Sequence, residues 1–487
     1  MKIKLMPLVL LLIILAGLCA SCAGPGDENS KGTTSGSELS GQTGDAVETE
    51  EKPVFLDKKF DDRTFNILQT GSWDYDEFTV GEFTGDIIND AKYERNMKVE
   101  NLYGIKITTV NATGASSNGM NLIQKDVMSN NGEYDLCLTG GYETCQMAYT
   151  GLITNLQDLD YIDLEHSWWD DRCTADLSIA GSTYFAVGDY STNAFDCSYC
   201  ILFNKDLIVD NDFENPYELV NNRKWTYDRF QQMVMEIYSD LNGDMKANVG
   251  DQFGLIVWQD AVFGMLNAVG SEVGRVNQKG ELTLTIESEK NINVLMKFIS
   301  LCQTGNVINI NANGNLNATD MFANNQGLFY TRYLASVRSL REYDINFGIL
   351  PYPLWDEGQE SYHTSVHSHG ISMLCIPISV YDSEMSGAVA EAVAYFSQDS
   401  VRVAYYDVNL VGRYFTDNES AEMLDIILAT RIYDAGRFYQ VGNYYSSLLS
   451  MLNTGNTNIS SFFTKSRRMA EEGIKTINEA YESLLKN

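Results

Sequence analysis

From about residue 60 onward, short apolar segments rich in β-branched residues alternate with longer segments whose apolar residues recur every three to four positions. The short segments predict strands at residues 64–68, 105–110 and 134–138. The longer segments predict helices, the first at residues 86–103 with Gly104 placed to end it. This alternation is typical of an α/β fold in which mostly parallel sheets are flanked by helices.

A chain of 487 residues is too long for one hydrophobic core, because single cores stop growing at about 250–300 residues. Extended apolar segments at residues 183–187 and 199–203, and again at 370–378, predict that the chain crosses from one half to another and later returns. We therefore expect two lobes joined by a hinge. Their predicted bounds are 55–188 plus 368–422 for the first lobe and 189–367 plus 423–487 for the second.

Residues 1–22 have the pattern of an export signal, with two lysines followed by an apolar segment at 8–15 that is too short to span a bilayer. The signal ends in Leu-Cys-Ala-Ser-Cys, which resembles a bacterial lipobox and makes Cys22 the expected lipidation site. Because Cys19 stands where that pattern prefers leucine, ordinary signal cleavage is an alternative. Residues 23–54, rich in Gly, Ser, Thr and Glu, predict a disordered tether. We expect an exported protein that is lipid-anchored to the outer face of the cell membrane.

The formal net charge is −32, from 66 acidic and 34 basic residues. Nucleic acid is therefore not an expected partner, because binding a polyanion depends on clustered Lys and Arg that release counterions. The main consequence of this charge is solubility. A weaker one is long-range repulsion of anionic ligands, which favours neutral or cationic solutes.

Seven cysteines follow Cys22, and several of them lie inside apolar segments. An exported protein of this size needs no disulfides, and a cysteine within an apolar segment behaves as a small hydrophobe. We therefore expect mostly free, buried thiols. Cys197 and Cys200 have the spacing of a zinc knuckle, but no second pair follows at a usable distance, which disfavours a zinc site.

Several short stretches resemble the family 1 extracellular solute-binding proteins, which include the maltose-binding type of sugar receptor. Their order along the chain carries the resemblance: Asp90-Ala91, Arg95-Asn96, Tyr103-Gly104, Tyr134-Asp135-Leu136, Leu156, Leu159, Trp168-Trp169, Phe203-Asn204-Lys205-Asp206-Leu207 and Lys224-Trp225-Thr226. Such membership implies a two-lobed fold of the type II periplasmic-binding-protein class. It also implies a protein that closes around a solute and delivers it to the permease subunits of an ABC importer. We expect a monomer with no required cofactor.

Candidate ligand-binding residues follow the predicted strands. In open α/β sheets, ligands bind beyond the carboxyl ends of the strands, and sugars are held by aromatic faces and planar polar side chains. Residues of these types at such positions are Trp73, Tyr75, Tyr142, Asp189, Tyr190, Trp258, Asp260, Tyr330 and Arg332. Each also has a structural explanation, since an aromatic content of 11% must place many rings in cores. Aromatic loops and the habit of the family favour a sugar or oligosaccharide over peptides and other polar solutes.

One twelve-residue stretch resembles a calcium-binding EF-hand loop. Asp240, Asn242, Asp244 and Asp251 place oxygen ligands at its first, third, fifth and twelfth positions, as a hard cation needs. Met245 replaces the glycine that is usual at the sharp turn, and the last ligand is Asp instead of the longer Glu. A structural calcium ion and a merely solvated turn are both consistent with this pattern.

Three histidines, His363, His367 and His369, fall within seven residues. In an extended segment His367 and His369 would share a face, which makes a transition-metal site geometrically feasible. No acidic residue or cysteine lies between these histidines to complete such a site. A polar loop near the hinge, or hydrogen bonding to the solute, explains the same residues.

Motifs for zinc proteases, serine hydrolases, P-loop enzymes and dinucleotide-binding enzymes are missing from the sequence, so we expect no enzyme. A carbohydrate hydrolase is the main alternative, because its carboxylate pair is recognised by spatial separation and 66 acidic residues are present. A solute receptor that reports to a signalling partner shares every sequence feature of a transport protein.

Overall fold

The computed structural model describes residues 52–70, 76–112, 117–340, 342–410 and 418–486. The predicted export signal with Cys22, most of the predicted tether, and the candidate ligands Trp73 and Tyr75 lie outside these ranges. Within them, no helix is both long enough and apolar enough to cross a membrane.

Strands and helices alternate along the described chain. The strands are β1 (Arg63–Thr70), β2 (Ile105–Ala112), β3 (Leu136–Gly140), β4 (Tyr199–Asn204), β5 (Tyr238–Ser239), β6 (Gln252–Val257), β7 (Gly274–Val276), β8 (Leu282–Leu284), β9 (Val307–Asn309), β10 (Gly327–Tyr333), β11 (Phe347–Leu350), β12 (Thr364–Ser365), β13 (Ser372–Cys375) and β14 (Arg431–Ile432). The α-helices are α1 (Ile87–Tyr103), α2 (Ser117–Ser129), α3 (Gly141–Tyr149), α4 (Asp171–Leu177), α5 (Thr192–Asp196), α6 (Lys205–Asp210), α7 (Pro216–Asn221), α8 (Tyr227–Glu236), α9 (Ala261–Ala268), α10 (Glu289–Leu301), α11 (Ala318–Ala323), α12 (Ala335–Ser339), α13 (Ser383–Ser397), α14 (Val403–Leu410), α15 (Asn418–Ala429), α16 (Ala435–Phe438), α17 (Tyr444–Thr454) and α18 (Ile459–Leu484).

The first sheet has the strand order β13-β3-β1-β2. β1 pairs in parallel with β2, which places Phe65 opposite Ile107, and in parallel with β3, which places Leu68 opposite Cys137. β13 joins the other edge of β3 in the antiparallel direction. The three strands predicted first along the chain are therefore confirmed, with their ends moved by no more than two residues.

Helix α1 has the ends that the sequence predicts. The Asp86 side chain accepts a hydrogen bond from Asn89 N at 2.9 Å, which satisfies a free N–H of the first turn. Gly104 ends the helix in the left-handed conformation, at φ +60°, where a residue with a side chain would be strained.

The second sheet is mixed, whereas the sequence pattern predicts mostly parallel sheets. Its order is β11-β4-β10-β6-β5, with β9 beside β6. β10 and β9 are parallel to β6, but β4 is antiparallel to both β10 and β11, and β5 is antiparallel to β6. The reason is the path of the chain: β4 starts where β10 ends, since Tyr199 pairs with Tyr333. The two remaining sheets are small pairs, β12 with β14 and β7 with β8.

The segments that connect the two sheets lie side by side. Ser198 forms an antiparallel bridge with Val366, and His367 N donates to the Cys197 carbonyl oxygen at 2.9 Å. The residues that connect the sheets are therefore 197–198 and 366–367. The predicted crossings at 199–203 and 370–378 lie a few residues later, since residues 199–203 belong to β4 of the second sheet and residues 372–375 form β13 of the first. The predicted lobe bounds stay a prediction.

Buried apolar side chains form two clusters. The smaller one packs between the first sheet and helices α1 and α13 and includes Phe65, Val99 and Val389. The larger one includes residues from both sheets, such as Leu68 and Leu255, so continuous packing joins the sheets. The seven cysteines that follow Cys22 are all free and buried, which confirms the expectation for the thiols.

Candidate functional site

The carboxyl ends of three strands, from both sheets, supply one aromatic cluster. β3 is followed by Tyr142 in the first turn of α3, and β6 is followed by Trp258. β10 ends with Arg332 and Tyr333. The segment that returns to the first sheet adds His367 to the cluster. These positions are the ones at which ligands bind in open α/β sheets.

Trp258 lies at the centre of this cluster. Its ring stacks on His367, with 5.4 Å between ring centroids and 27° between planes, and it meets the edge of Tyr333 at 5.3 Å. The Arg332 guanidinium lies 4.5 Å from the Trp258 ring centroid and 4.4 Å from that of Tyr333. Aromatic faces hold a guanidinium by cation–π attraction.

Arg332 keeps most of its hydrogen-bonding capacity. Its Nη2 donates to the Tyr333 hydroxyl at 2.9 Å, and no carboxylate oxygen lies within 4.0 Å of it among the residues that the structure describes. A guanidinium has five N–H donors in a fixed plane. Arg332 can therefore donate to hydroxyl groups of a solute while its own plane is held by two rings.

A second group of rings surrounds Tyr142. The Tyr142 ring lies 5.4 Å from that of His369 and 5.9 Å from that of Tyr445 in α17. The Ser368 hydroxyl donates to the Tyr142 oxygen at 3.2 Å. The Tyr445 hydroxyl donates to Asp260 Oδ1 at 2.8 Å, next to the start of α9. Tyr445 thus contacts both Tyr142, which follows a strand of the first sheet, and Asp260, which follows a strand of the second.

Arg437 in α16 is buried beside these rings. Its guanidinium lies 4.4 Å from the Phe263 ring centroid and donates to Ser365 Oγ at 2.8 Å and to the Tyr199 hydroxyl at 3.2 Å. Its Nε has no hydrogen-bond partner among the described residues. Because a buried donor without a partner costs about 1–3 kcal/mol, an acceptor on a solute would be favourable at this atom.

A buried acceptor without a partner belongs to the residue that follows Tyr142. Glu143 Oε2 is buried and accepts no hydrogen bond from any residue that the structure describes. It lies close to Gly140 at the end of β3, since a Cβ added to Gly140 would be 2.7 Å from Glu143 Oε2 and 3.3 Å from the His369 carbonyl oxygen. Glycine therefore leaves the room in which this carboxylate and the His369 main chain approach each other.

Burial determines the protonation of the site. It lowers the pKa of His367 well below 6.5, and the nearby cations Arg437 and Arg332 act in the same direction, so the imidazole is neutral at physiological pH. Burial raises the pKa of Tyr333 to about 12. Burial also raises the pKa of Asp260, against the opposing effect of Arg437. The rings of His367 and Tyr333 are therefore uncharged at neutral pH.

The structure brings together four of the predicted ligand residues, Tyr142, Trp258, Asp260 and Arg332. Each of them follows or ends a strand, as the argument from strand ends requires.

The structure places three other predicted residues elsewhere. Tyr190 is fully buried, and its hydroxyl lies within hydrogen-bonding distance of the main-chain oxygens of Ala186 and Ser372. Tyr330 is 2% exposed and packs against Phe322. Asp189 forms an ion pair with Arg402 at 3.3 Å and lines a cavity of about 440 Å³, and burial raises its pKa to about 6.

The metal predictions are not matched by a preformed cluster. Among the described residues, no group of three or more His, Cys, Asp or Glu side chains is arranged to hold a metal ion. The His367 and His369 rings are 6.3 Å apart, while His363 lies beside Ser361 and Gly270. Asp240, Asn242, Asp244 and Asp251 lie in the connection between β5 and β6, away from the strand ends that carry Trp258 and Arg332.

Several residues of the site were missed by sequence reasoning: Glu143, Tyr199, Phe263, Arg437 and Tyr445. Glu143 is one residue beyond a predicted ligand, and scanning the whole first turn of α3 would have found it. Arg437 and Tyr445 lie on α16 and α17, which follow no strand of either main sheet. Examining the residues at strand ends therefore cannot find them.

Comparison with protein-family models finds no match, and comparison with curated proteins finds none either. Solved structures do match. The GacH receptor of Streptomyces glaucescens, determined unliganded and in complex with acarbose, has a TM-score of 0.52 and 15% identity, covering 88% of this chain and 99% of that one. An ABC substrate-binding protein of Listeria monocytogenes in complex with cycloalternan has a TM-score of 0.54 and 13% identity, covering 87% and 100%.

A solute-binding protein of Thermotoga lettingae bound to α-D-tagatose has a TM-score of 0.53 and 13% identity, covering 85% of this chain and 100% of that one. All three are described as receptors or binding proteins. The chain therefore has the two-lobed type II periplasmic-binding-protein fold, the fold of the family 1 extracellular solute-binding proteins that its sequence resembles.

Proposed function

We propose that this protein is the solute-binding component of an ABC importer and that it captures a sugar or oligosaccharide without chemical change. The observation that carries the proposal is the aromatic cluster around Trp258, which the rings of His367 and His369 link to Tyr142 at the end of a first-sheet strand. Sugars present C–H faces that pack on rings and hydroxyl groups that pair with planar polar side chains. The cluster combines both kinds of group.

The charged groups of the site support an uncharged, polyhydroxylated solute. Arg332 and Arg437 contribute two positive charges, and Asp260 and Glu143 contribute two carboxyl groups, within the part of the site that the structure describes. Arg437 Nε and Glu143 Oε2 lack partners, one as donor and the other as acceptor. A sugar hydroxyl can accept from the first and donate to the second, because one O–H group does both.

Binding is proposed to work by hinge closure. Tyr142 and His369 lie next to strands of the first sheet, while Trp258 and Arg332 lie next to strands of the second. A solute that contacts both pairs stabilises the state in which they are close, in proportion to its differential affinity for that state. The permease subunits of the importer would recognise the closed state.

Export and a lipid anchor at Cys22 are part of this proposal, and they are supported by the sequence of the first 22 residues. Metabolic labelling with a palmitate analogue tests the anchor. We expect label in the native protein and none after Cys22→Ser. Label retained by the variant would place the lipid on another residue.

A melting-temperature screen tests the binding function, since a ligand that binds only the folded state raises the melting temperature by mass action. The panel comprises maltotriose, acarbose, cycloalternan and tagatose, with a tripeptide and a polyamine as non-sugar controls. We expect at least one saccharide to raise the melting temperature and to give a saturable heat in calorimetry. A response to the tripeptide or polyamine alone would contradict the sugar assignment.

Chromatography of the same mixtures separates binding from hydrolysis. A binding protein returns the saccharide unchanged after prolonged incubation. Shorter products would support the alternative of a carbohydrate hydrolase and would overturn the importer proposal.

A further inference from the structure

The connection between β5 and β6 makes the turn of a calcium-binding loop. Asp240 accepts from Gly243 N at 2.7 Å through Oδ1 and from Met245 N at 2.8 Å through Oδ2. Met245 adopts φ +61°, the left-handed conformation that such loops usually reach with glycine at the sixth position. The Met245 side chain is 91% exposed, so no packing opposes this conformation.

Two oxygens of the loop converge on one atom. Asn248 Nδ2 lies 2.9 Å from Asp244 Oδ2 and 3.0 Å from the Lys246 carbonyl oxygen. These oxygens occupy the fifth and seventh positions of the loop, which are ligand positions in calcium loops, and Asn248 occupies the ninth. A cation with bonds of about 2.3–2.6 Å can replace this amide group as their common partner.

Asp251 supplies an observation that is independent of the loop pattern. The residue is fully buried, and its Oδ2 accepts from Asn248 N at 3.0 Å, but its Oδ1 has no hydrogen-bond partner among the described residues. A buried carboxylate oxygen without a partner is strongly disfavoured unless a cation or donor compensates it. Both oxygens belong to one carboxyl group, so the unpaired Oδ1 lies beside the Oδ2 that is bound within the loop.

The charges of this loop are not compensated by nearby side chains. None of Asp240, Asp244 and Asp251 has an ion-pair partner within 4.0 Å in the described part of the chain. The available oxygens are of carboxylate, amide and main-chain types, which is the mixture that calcium prefers.

We propose that this loop binds one calcium ion through Asp240, Asn242, Asp244, the main-chain oxygen of Lys246, and Asp251. The three carboxylates do not form a preformed metal cluster in the described chain, so binding would draw them together around the ion. The ion would also hold the neighbouring strand, because Gln326 Nε2, just before β10, donates to the Val249 carbonyl oxygen at 2.6 Å and to that of Asp251 at 3.2 Å. Calcium would thereby stabilise the starts of β6 and β10, the two strands whose opposite ends carry the aromatic cluster.

Calorimetric titration of the purified full-length chain with CaCl₂, after removal of divalent ions with a chelator, tests the proposal. We expect one site with a dissociation constant on the order of 10⁻⁴–10⁻³ M, the range of extracellular calcium modules. CaCl₂ should raise the melting temperature, and MgCl₂ should have a much smaller effect, because Mg²⁺ demands closer, octahedral ligands.

Two loop variants and one control complete the test. Asp244→Asn changes an exposed side chain, so it leaves folding intact, and Asp251→Asn changes the buried one. Each should weaken calcium binding by at least about tenfold, because affinity follows the ligand charge count. Asp210→Asn removes an exposed charge from α6 and should bind as the parent does. Absence of a calcium response in the parent, an equal response to magnesium, or an unchanged affinity in Asp244→Asn would each overturn the proposal.

Discussion

Replacing Trp258 with alanine removes the ring on which the candidate site is built. Two contributions to the binding free energy would be lost. The aromatic face that would contact a sugar contributes about 0.5–1.5 kcal/mol. The hydrogen bonds from Arg332 contribute about 1.5–3 kcal/mol, and they would weaken because the Arg332 guanidinium lies 4.5 Å from the Trp258 ring centroid and is held in place by that ring. The total of about 2–4.5 kcal/mol corresponds to an affinity about 30- to 1,600-fold lower. Trp258→Phe keeps a ring and should lose less than about tenfold.

Trp225→Ala is the matched control. This indole is fully buried in the larger core cluster, donates to the Pro351 carbonyl oxygen at 2.9 Å and packs against Phe230 and Phe329. Its loss should cost about 3–5 kcal/mol of folding free energy. Because none of its contacts belongs to the candidate site, the folded fraction should bind the saccharide with unchanged affinity.

Calorimetry decides between these expectations. The titrant is the saccharide that gives the largest rise in melting temperature, and each variant is measured at a temperature at which circular dichroism shows it to be folded. Affinity of Trp258→Ala within about threefold of the parent would refute the assignment of the site, because it corresponds to less than about 1 kcal/mol. An equal loss of affinity in Trp225→Ala would attribute the effect to general destabilisation.

Three further predictions concern stability and reactivity. Glu391→Ala should lower the free energy of unfolding, measured in urea, by about 3–5 kcal/mol. The reason is that this buried carboxylate accepts hydrogen bonds from the Trp168 indole at 3.2 Å and the Trp169 indole at 2.9 Å. A loss below about 1 kcal/mol would show that these hydrogen bonds are dispensable. Burial, and then the nearby carboxylate of Asp434, raise the pKa of Glu272 from 4.5 to about 8. Because the pKa is higher in the folded state, the contribution of Glu272 to stability is complete below pH 4.5 and is lost as the pH rises through about 8. The melting temperature of the parent should therefore fall relative to that of Glu272→Gln over this window, and parallel curves would contradict the shift. The seven cysteines that follow Cys22 are buried and should resist alkylation in the folded protein but react after denaturation. Burial also raises the pKa of thiols such as Cys200 and Cys302, which disfavours the reactive thiolate. Alkylation of any of the seven in the native protein, mapped by mass spectrometry, would contradict their burial.

Part of the candidate site could be predicted from the sequence because it depends on strand ends. Tyr142, Trp258 and Arg332 are found by locating a strand and examining the residues that end or follow it. The same reasoning selected Tyr190 and Tyr330, which are buried in the core. Which tyrosine faces a site depends on the elements that pack against it, and those elements are distant in sequence.

The direction of the strands in the second sheet shows the same limit. Apolar segments at residues 253–257, 327–330 and 347–350 predict strands, and the structure has strands there. Their alternation with helices nevertheless predicts a mostly parallel sheet, and the sheet is mixed. Pairing direction follows from the point at which the chain enters the sheet, which is a property of the whole path.

By itself, the sequence determined those features that depend on neighbouring residues: the strands of the first sheet, the caps Asp86 and Gly104 of α1, the burial of the cysteines, and the order of oxygen ligands in the 240–251 loop. Tertiary structure alone decided that Arg437 and Tyr445, from α16 and α17, join Tyr142 and the other rings. The physical reason is the range of the forces involved. Capping and periodicity act over a few residues, whereas a binding site is made by packing between segments that lie hundreds of positions apart.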